Sequence, residues 1–575
     1  MKTLRTHLTT ILISCLFLPA VAQQIAFERD SNTTATYEEV IAHYRALDEA
    51  FETCKLLTYG PTDSGKPLNL LVISKDQLFD PEQVHELNKP VILINNGIHP
   101  GEPEGIDAAM MLLRDMLTSN DLPENAVLCV IPVYNIGGML NRGVSRVNQN
   151  GPDAYGFRGN ARNYDLNRDF IKSDSRNSRS FQEIFNTWQP DVFMDTHTSN
   201  GADYQYIMTL IDTQIDKLHP ALRETASAFT AGLYNRMEDS GYDMVPYVNF
   251  RGRTPESGLV SFYESPRYST GYAALHHTFG YMPETHMWKP YPQRVRSTYT
   301  LLSHFIQQAD ERAPELHKQR MLARQQSAEQ QQFVLTWQVD TTQYDHITFK
   351  GFESGEKPSD VSGFPRLYYD RNKPYSREIR YYNRYQPGIV VDKPYAYIIP
   401  QGWQEVVELL TLNGVTVEQL ENDTTLTVQL YYMDGFETAR NPYEGHYLHS
   451  GVEVRPETQT LSFSKGDYIV VTNQPENRFI VETLEPQSVD SYFNWNFFDS
   501  ILGQKEHFSA YIFEDEAFRM LNEDPALKER LEEAKATDEQ LRNSGQAQLN
   551  WIYKQSPYYE KTHLRYPIGR LLEAL

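Results

Sequence analysis

Cysteine is scarce, positive charge is in deficit, and long apolar runs are confined to the first residues. Three cysteines in 575 residues exclude a disulfide framework as the basis of the fold. Lys and Arg total 53 against 76 Asp and Glu, a formal net charge of −23. That balance argues against nucleic acid or an anionic membrane as partner, although a local cationic pocket for an anionic ligand stays compatible with it. Beyond the N-terminus no stretch has the length and apolarity of a membrane-spanning helix. No internal repeat is present.

At 575 residues the chain exceeds one ordinary hydrophobic core, so two or three domains are expected. The start reads Met1-Lys2-Thr3-Leu4-Arg5, then an apolar run from Leu8 to Pro19, then Ala20-Val21-Ala22. A basic head, a short apolar middle and an A-x-A site describe a signal peptide over residues 1–22, and hence an exported protein, periplasmic or secreted. A minor alternative is lipidation at Cys15, since Leu12-Ile13-Ser14-Cys15 loosely resembles a bacterial lipobox. After signal removal Cys54 and Cys129 remain, as a pair or as buried thiols.

Residues 23–310 alternate apolar strands with amphipathic helices. Thr36-x-x-Glu39 has the form of a capping box, and Val40, Tyr44, Leu47 and Phe51 repeat at helical spacing behind it. Strands are expected at Leu68–Ser74, Pro90–Asn95, Val127–Val133 and Asp191–His197. Helices are expected at Ile106–Leu117, Phe181–Trp188 and Pro220–Met237, with a last one through Val295 and Ile306. The pattern predicts an α/β domain with a mixed, mostly parallel sheet flanked by helices. Residues 311–332, ending Gln330-Gln331-Gln332, read as a helical, Gln-rich linker. Residues 333–575 read as a β-rich accessory region with a helix at Gln404–Leu412 and a charged C-terminal helix near Pro525–Gln540.

Three segments carry chemistry. In Asn95-Asn96-Gly97-Ile98-His99-Pro100-Gly101-Glu102 an imidazole and a carboxylate lie three residues apart on a turn after a strand, so both can address one point. Zinc accepts such a nitrogen and oxygen pair but needs a third protein ligand in a catalytic site. Asp191 to Thr198 is an apolar strand whose tip carries His197, and sites in open α/β sheets lie at such carboxyl ends. Between them, Arg158 to Phe170 gathers Arg and Asn, groups suited to holding a carboxylate by charge-assisted hydrogen bonds.

In order, spacing and strand context these segments resemble the zinc metallocarboxypeptidases of the carboxypeptidase A type: H-x-x-E after a strand, then Asp165-Leu166-Asn167-Arg168-Asp169-Phe170, then a strand-end His. Phe279-Gly280-Tyr281-Met282-Pro283-Glu284 fits the late strand on which that family places its catalytic glutamate. The resemblance implies one Zn²⁺ per chain, held by His99, Glu102 and His197. It implies Asp165 as the carboxylate orienting a ligand imidazole, and Asn167 with Arg168 as the clamp for a substrate's terminal carboxylate. Arg158 then stabilises the oxyanion and Glu284 is the general base. The implied reaction is removal of the C-terminal residue from a peptide or peptide-like substrate with a free C-terminal carboxylate. Of Tyr263, Tyr268 and Tyr272, the last is taken as the tyrosine that closes over substrate in this family, being nearest a helix start. Asp169, where many members carry Asn, is expected to alter the pocket's charge. Zinc deacylases and amidases share parts of this pattern, and a cell-wall peptide is a further candidate substrate. A catalytically inactive binding protein on the same scaffold is disfavoured, because every ligand and base position is filled.

Overall fold

The computed structural model describes residues 24–574, so the expected signal peptide and Cys15 lie outside them. In chain order the strands of the first region are β1 (Cys54–Pro61), β2 (Pro67–Ile73), β3 (Val91–Asn95), β4 (Val127–Ile131), β5 (Val192–Asp195), β6 (His197–Ser199), β7 (Met208–Asp212), β8 (Met244–Pro246), the short β9 (Leu259–Val260) and β10 (Phe279–His286). All but β9 form one nine-stranded sheet in the order β1-β2-β4-β3-β5-β10-β7-β8, with β6 beside β10. The centre, β4-β3-β5-β10, is parallel, and antiparallel pairs flank it. β3, β4 and β5 are buried at every position, the signature of strands covered on both faces. This is the mixed α/β architecture with flanking helices that the alternating pattern predicts.

Local signals set the helices. The Thr36 side chain accepts from the Glu39 backbone, and Glu39 answers to the Thr36 N–H, opening Tyr37–Ala50 with a capping box. On one face of the sheet, Ile92, Ile94, Val130 and Met194 pack against the helices Tyr37–Ala50, Glu104–Ser119, Pro220–Asp239 and Tyr291–Glu311. On the other, Leu93, Cys129, Ile131 and Phe193 pack with Phe181, Phe185 and Tyr272, and the same cluster runs on into Leu409, Leu410, Phe479, Ile480 and Trp495. The second region therefore supplies part of the cover of the nine-stranded sheet. Cys54 and Cys129 are free and buried. Among the described residues no helix is long and apolar enough to cross a membrane.

Past the helix Ala313–Glu329 come β11 (Gln332–Val334) and β12 (Trp337–Val339). β13 (Asp345–Pro358) and β14 (Pro365–Tyr382) form a long antiparallel ribbon, and β15 (Tyr385–Pro387) and β16 (Val390–Asp392) return to pair with β12 and β11. A six-stranded sheet follows, built from β17 (Ala396–Ile399), β18 (Glu418–Gln419), β19 (Thr424–Thr438), β20 (His449–Phe463), β21 (Tyr468–Val471) and β22 (Gly569–Leu571). Its order is β18-β21-β17-β22-β19-β20. The β-rich reading of this region holds, but its last part carries more helix than the single one expected. Ala510–Glu523, Pro525–Thr537, Glu539–Asn543 and Gly545–Lys554 pack around Phe513, Leu531 and Tyr553.

One glycine locks the helix Glu104–Ser119 onto the site-bearing turn. A Cβ on Gly105 would stand 1.9 Å from Thr196 Oγ1 and 2.7 Å from Asn96 Oδ1. Gly105→Ala is expected to destabilise the fold by about 1–3 kcal/mol, the cost of overpacking a filled core. A urea midpoint equal to that of the parent would show that the helix shifts freely there.

Candidate active site

The site lies at the carboxyl ends of the central parallel strands. After β3, Gly97 takes a left-handed φ of 67°, turning the chain so that His99 and Glu102 face the end of the sheet. His197 opens β6, and Glu284 of β10 is its direct register partner. The ligand atoms of His99, Glu102 and His197 lie within 4.8 Å of one another, and all three residues are buried. His99 Nδ1 is 3.2 Å and His197 Nδ1 3.3 Å from Glu102 Oε2, so both nitrogens converge on one carboxylate. The opposite nitrogens are engaged, His99 Nε2 with Asp165 at 2.9 Å and His197 Nε2 with Asp195 at 3.0 Å. Two imidazoles, each backed by a carboxylate and each presenting its other nitrogen inward beside a third carboxylate, fit a metal site.

These groups line a cavity of about 570 Å³ together with Arg146, Arg158, Asn167, Arg168, Ile211, Tyr247, Phe262, Tyr268, Met282, Glu284 and Met287. Arg158 donates from Nε to Asp165 at 2.9 Å, and its Nη1 lies 3.4 Å from Glu102 Oε1. Asp165 also caps the turn Leu166–Arg168 by accepting from the Asn167 N–H at 2.9 Å. Asn167 Oδ1 accepts from the Ser269 N–H, and Arg168 stacks its guanidinium 4.3 Å from the Tyr268 ring centre.

The charges reinforce this arrangement. Burial works to raise the Glu102 carboxyl, yet His99, Arg146 and His197 hold it well below the usual carboxylate range. Burial likewise opposes ionisation of Asp165, and His99, Arg158 and Arg168 overcome it. Glu284 differs. It is half-buried on the cavity wall, burial pushes its carboxyl up to about 8, His197 opposes the shift and Glu102 adds to it.

The residues proposed from sequence as ligands, clamp, oxyanion partner and base thus come together, and Tyr272 does not join them. It is a buried residue of the helix Ser269–Leu275, donating to Asn413 Oδ1 at 2.7 Å and packed between Phe170 and Phe185. The tyrosines on the cavity are Tyr247 and Tyr268, while Tyr263 stacks on Tyr385. Asp169 does not charge the pocket either. The turn at Leu166–Arg168 sends it inward, where it accepts from Lys172 Nζ at 2.6 Å and Ser175 Oγ at 2.6 Å. Glu104 is buried against Arg294 and accepts from Thr198 Oγ1 at 2.6 Å. Arg162 points to the Asp174 carbonyl, away from the cavity.

Sequence reasoning passed over Asp195 and Arg146. Asp195 had a signal: two residues before His197 on a strand, it falls on the same face. Arg146, donating to Glu102 Oε1 at 2.9 Å, stands in an exposed loop with no motif to mark it.

Comparison with known proteins agrees with the motif resemblance. Residues 41–212 match the family model for zinc carboxypeptidases. Carboxypeptidase 2 of Trichophyton rubrum is 22% identical over 423 residues, covering 70% of this chain and 72% of the relative. Carboxypeptidase 2 of Trichophyton tonsurans is 23% identical over 448 residues, covering 74% and 76%. Among solved structures, a metallo-carboxypeptidase from Pseudomonas aeruginosa overlaps with a TM-score of 0.37 at 15% identity, covering 49% of this chain and 70% of that one. The carboxypeptidase A of Helicoverpa armigera gives 0.37 at 16% identity, covering 53% and 81%.

Proposed function

With residues 41–212 built on the zinc carboxypeptidase pattern, we propose that this metallocarboxypeptidase-type hydrolase is exported and removes single C-terminal residues from peptides, using one zinc ion held by His99, Glu102 and His197. The observation that carries this reading is the convergence of the two inward Nδ1 atoms and the Glu102 carboxylate beside Glu284, in a cavity that also holds Arg158 and Arg168. A zinc ion bound there supplies Lewis acidity for water and for the scissile carbonyl.

The chain's own groups do the rest. Arg168, with Asn167 beside it, takes the substrate's terminal carboxylate, which fixes the peptide bond one residue in over the ligand cluster. Glu284 accepts the proton of the attacking water and returns it to the leaving amine. Arg158, anchored by Asp165, is placed to stabilise the charge that develops on the carbonyl oxygen. Asp165 and Asp195 hold the ligand imidazoles in one tautomer, Nε2–H outward and Nδ1 free. Export rests on the signal pattern of residues 1–22.

The cavity wall also bears on preference. Ile211, Tyr247, Phe262, Tyr268 and Met282 face it, and the acids lining it are Glu102 and Glu284, both engaged in the chemistry. A C-terminal Lys or Arg would meet Arg146, Arg158 and Arg168 with no free acid to pair with. Peptides ending in an aromatic or aliphatic residue are expected to exceed those ending in Lys or Arg by at least about tenfold in kcat/KM. Mass spectrometry of a mixed peptide library treated with the mature chain measures both points. Single-residue shortening from the C-terminus, absent in chelator, supports the reading. Intact peptides beside stoichiometric zinc would sink it and favour a deacylase or cell-wall amidase. Preferred loss of Lys or Arg would refute the specificity.

A further inference from the structure

The turn Tyr443-Glu444-Gly445-His446, at the tip of the β19–β20 hairpin, lies against the segment that carries Asp165 and Arg168. Tyr443 and His446 exchange backbone hydrogen bonds, and both central residues have positive φ, 50° at Glu444 and 84° at Gly445. Such a turn favours Asn or Gly at its first central position, so a Glu there calls for a reason. The reason is visible in its contacts: Glu444 Oε2 accepts the Asp165 backbone N–H at 2.8 Å. A Cβ on Gly445 would stand 3.0 Å from the Tyr164 ring, so the turn sits flush on the neighbouring residue. Tyr443 Oη accepts from Arg168 Nε at 2.8 Å, and His446 Nε2 is 2.8 Å from Asp174 Oδ2. Three polar links from four residues fall on one ten-residue stretch some 270 positions earlier.

We propose that this turn of the second region is a positioning element of the substrate-carboxylate clamp, with Tyr443 setting Arg168 and Glu444 setting the Asp165–Arg168 turn. The inference rests on the carboxypeptidase reading above. Arg168 is held from two sides, stacked on Tyr268 and bonded at Nε to Tyr443, while its Nη1 donates to the Asn167 carbonyl. With Nε and one N–H of Nη1 taken, the Nη2 donors and the other Nη1 N–H remain to meet a carboxylate in a fixed direction. Tyr443 itself is absent from the cavity lining, so it acts through Arg168 and not on substrate. The turn cannot wander, because the Tyr443 ring stacks on the buried Trp495 and Arg267 lies over Trp495 and pairs with buried Asp490. The second region is on this account part of the substrate site, and selection for a free C-terminal carboxylate is shared between the two halves of the chain.

The test uses the full mature chain as Tyr443→Phe, Glu444→Gln and Glu444→Ala, with Tyr447→Phe on the same hairpin as control. Each is assayed on an N-acylated dipeptide with a free carboxylate, and for inhibition by an N-acetylated aromatic amino acid against its amide. Loss of the phenol oxygen removes one hydrogen bond to a charged group and is expected to raise KM and the acid's Ki roughly tenfold. The amide's Ki, kcat and the bound zinc should stay within about twofold, which a general loss of folding would not produce. Glu444→Ala should follow Tyr443→Phe, and Glu444→Gln, which keeps an acceptor oxygen, should retain parental values, as should Tyr447→Phe. Thermal midpoints identify any variant that fails to fold, in which case Tyr443→Phe, the smallest change, decides. Unchanged KM and acid Ki in an active Tyr443→Phe would overturn this proposal alone. A parent that neither cleaves the dipeptide nor binds the acid overturns the carboxypeptidase reading, and this proposal with it.

Discussion

Glu284→Gln is expected to keep its zinc and lose roughly 10³-fold in kcat, with KM little changed. The substitution preserves shape and removes the ability to take up a proton, and a positioned general base typically contributes about 10²–10⁴-fold. Glu284 sits opposite His197 in the β10–β6 register, so its carboxylate is aimed at the ligand cluster by the sheet itself and needs no loop to hold it. No other acid on the cavity is free to replace it, Glu102 being committed to the two imidazoles and Arg146. Steady-state rates beside metal analysis of the same preparation separate the outcomes. Near-parental turnover would move the base elsewhere. Loss of the metal with the rate would make Glu284 a ligand.

His99→Ala carries the second large effect. Zinc content is expected to fall from one per chain to near zero and activity to below detection, and prolonged chelation of the parent should match it. His99 is the pivot of the cluster, contributing one nitrogen to the site while its other holds Asp165, which in turn orients Arg158. Removing it leaves a histidine and a carboxylate, short of the three protein ligands a catalytic zinc site uses. The loss should also be visible without substrate. A metal present at a thousand times its Kd stabilises the folded chain by about 4 kcal/mol, so the parent's melting point should drop on chelation. That of His99→Ala should not respond. A variant that still binds one zinc and melts with a chelator-sensitive transition would refute the ligand assignment.

What the sequence disclosed and what it hid divide along physical lines. Val91–Asn95 and Val127–Ile131 were readable because strands buried on both faces are unbroken apolar runs. Thr36 and Glu39 marked a helix start through side-chain chemistry that is local to four residues. His99, Glu102 and His197 could be singled out through the resemblance of their ordered motifs to those of zinc carboxypeptidases, since no local pattern shows that these segments meet. Tyr272 misled because a helix start says where a residue begins an element, not which way the element's faces point, and Ser269–Leu275 is buried all round. Asp169 misled for a related reason: the turn Leu166–Arg168 sends adjacent residues to opposite sides. The ribbon β13–β14 gave little signal because only a short part of it is buried, around Phe349, Tyr375 and Ile379, and charged residues fill much of the rest. Contacts such as Tyr443 with Arg168 join positions that no local pattern links.

The placement of β22 bears on when such a molecule becomes competent. Gly569–Leu571 is inserted between β17 and β19, and β19 is one of the two strands on which the Tyr443–His446 turn stands. A ribosome must therefore deliver residue 571 before that hairpin has its neighbour, about a hundred residues after the hairpin ends at Phe463. The turn beside Asp165 and Arg168 thus stands on a sheet that is closed by a segment remote from it in sequence.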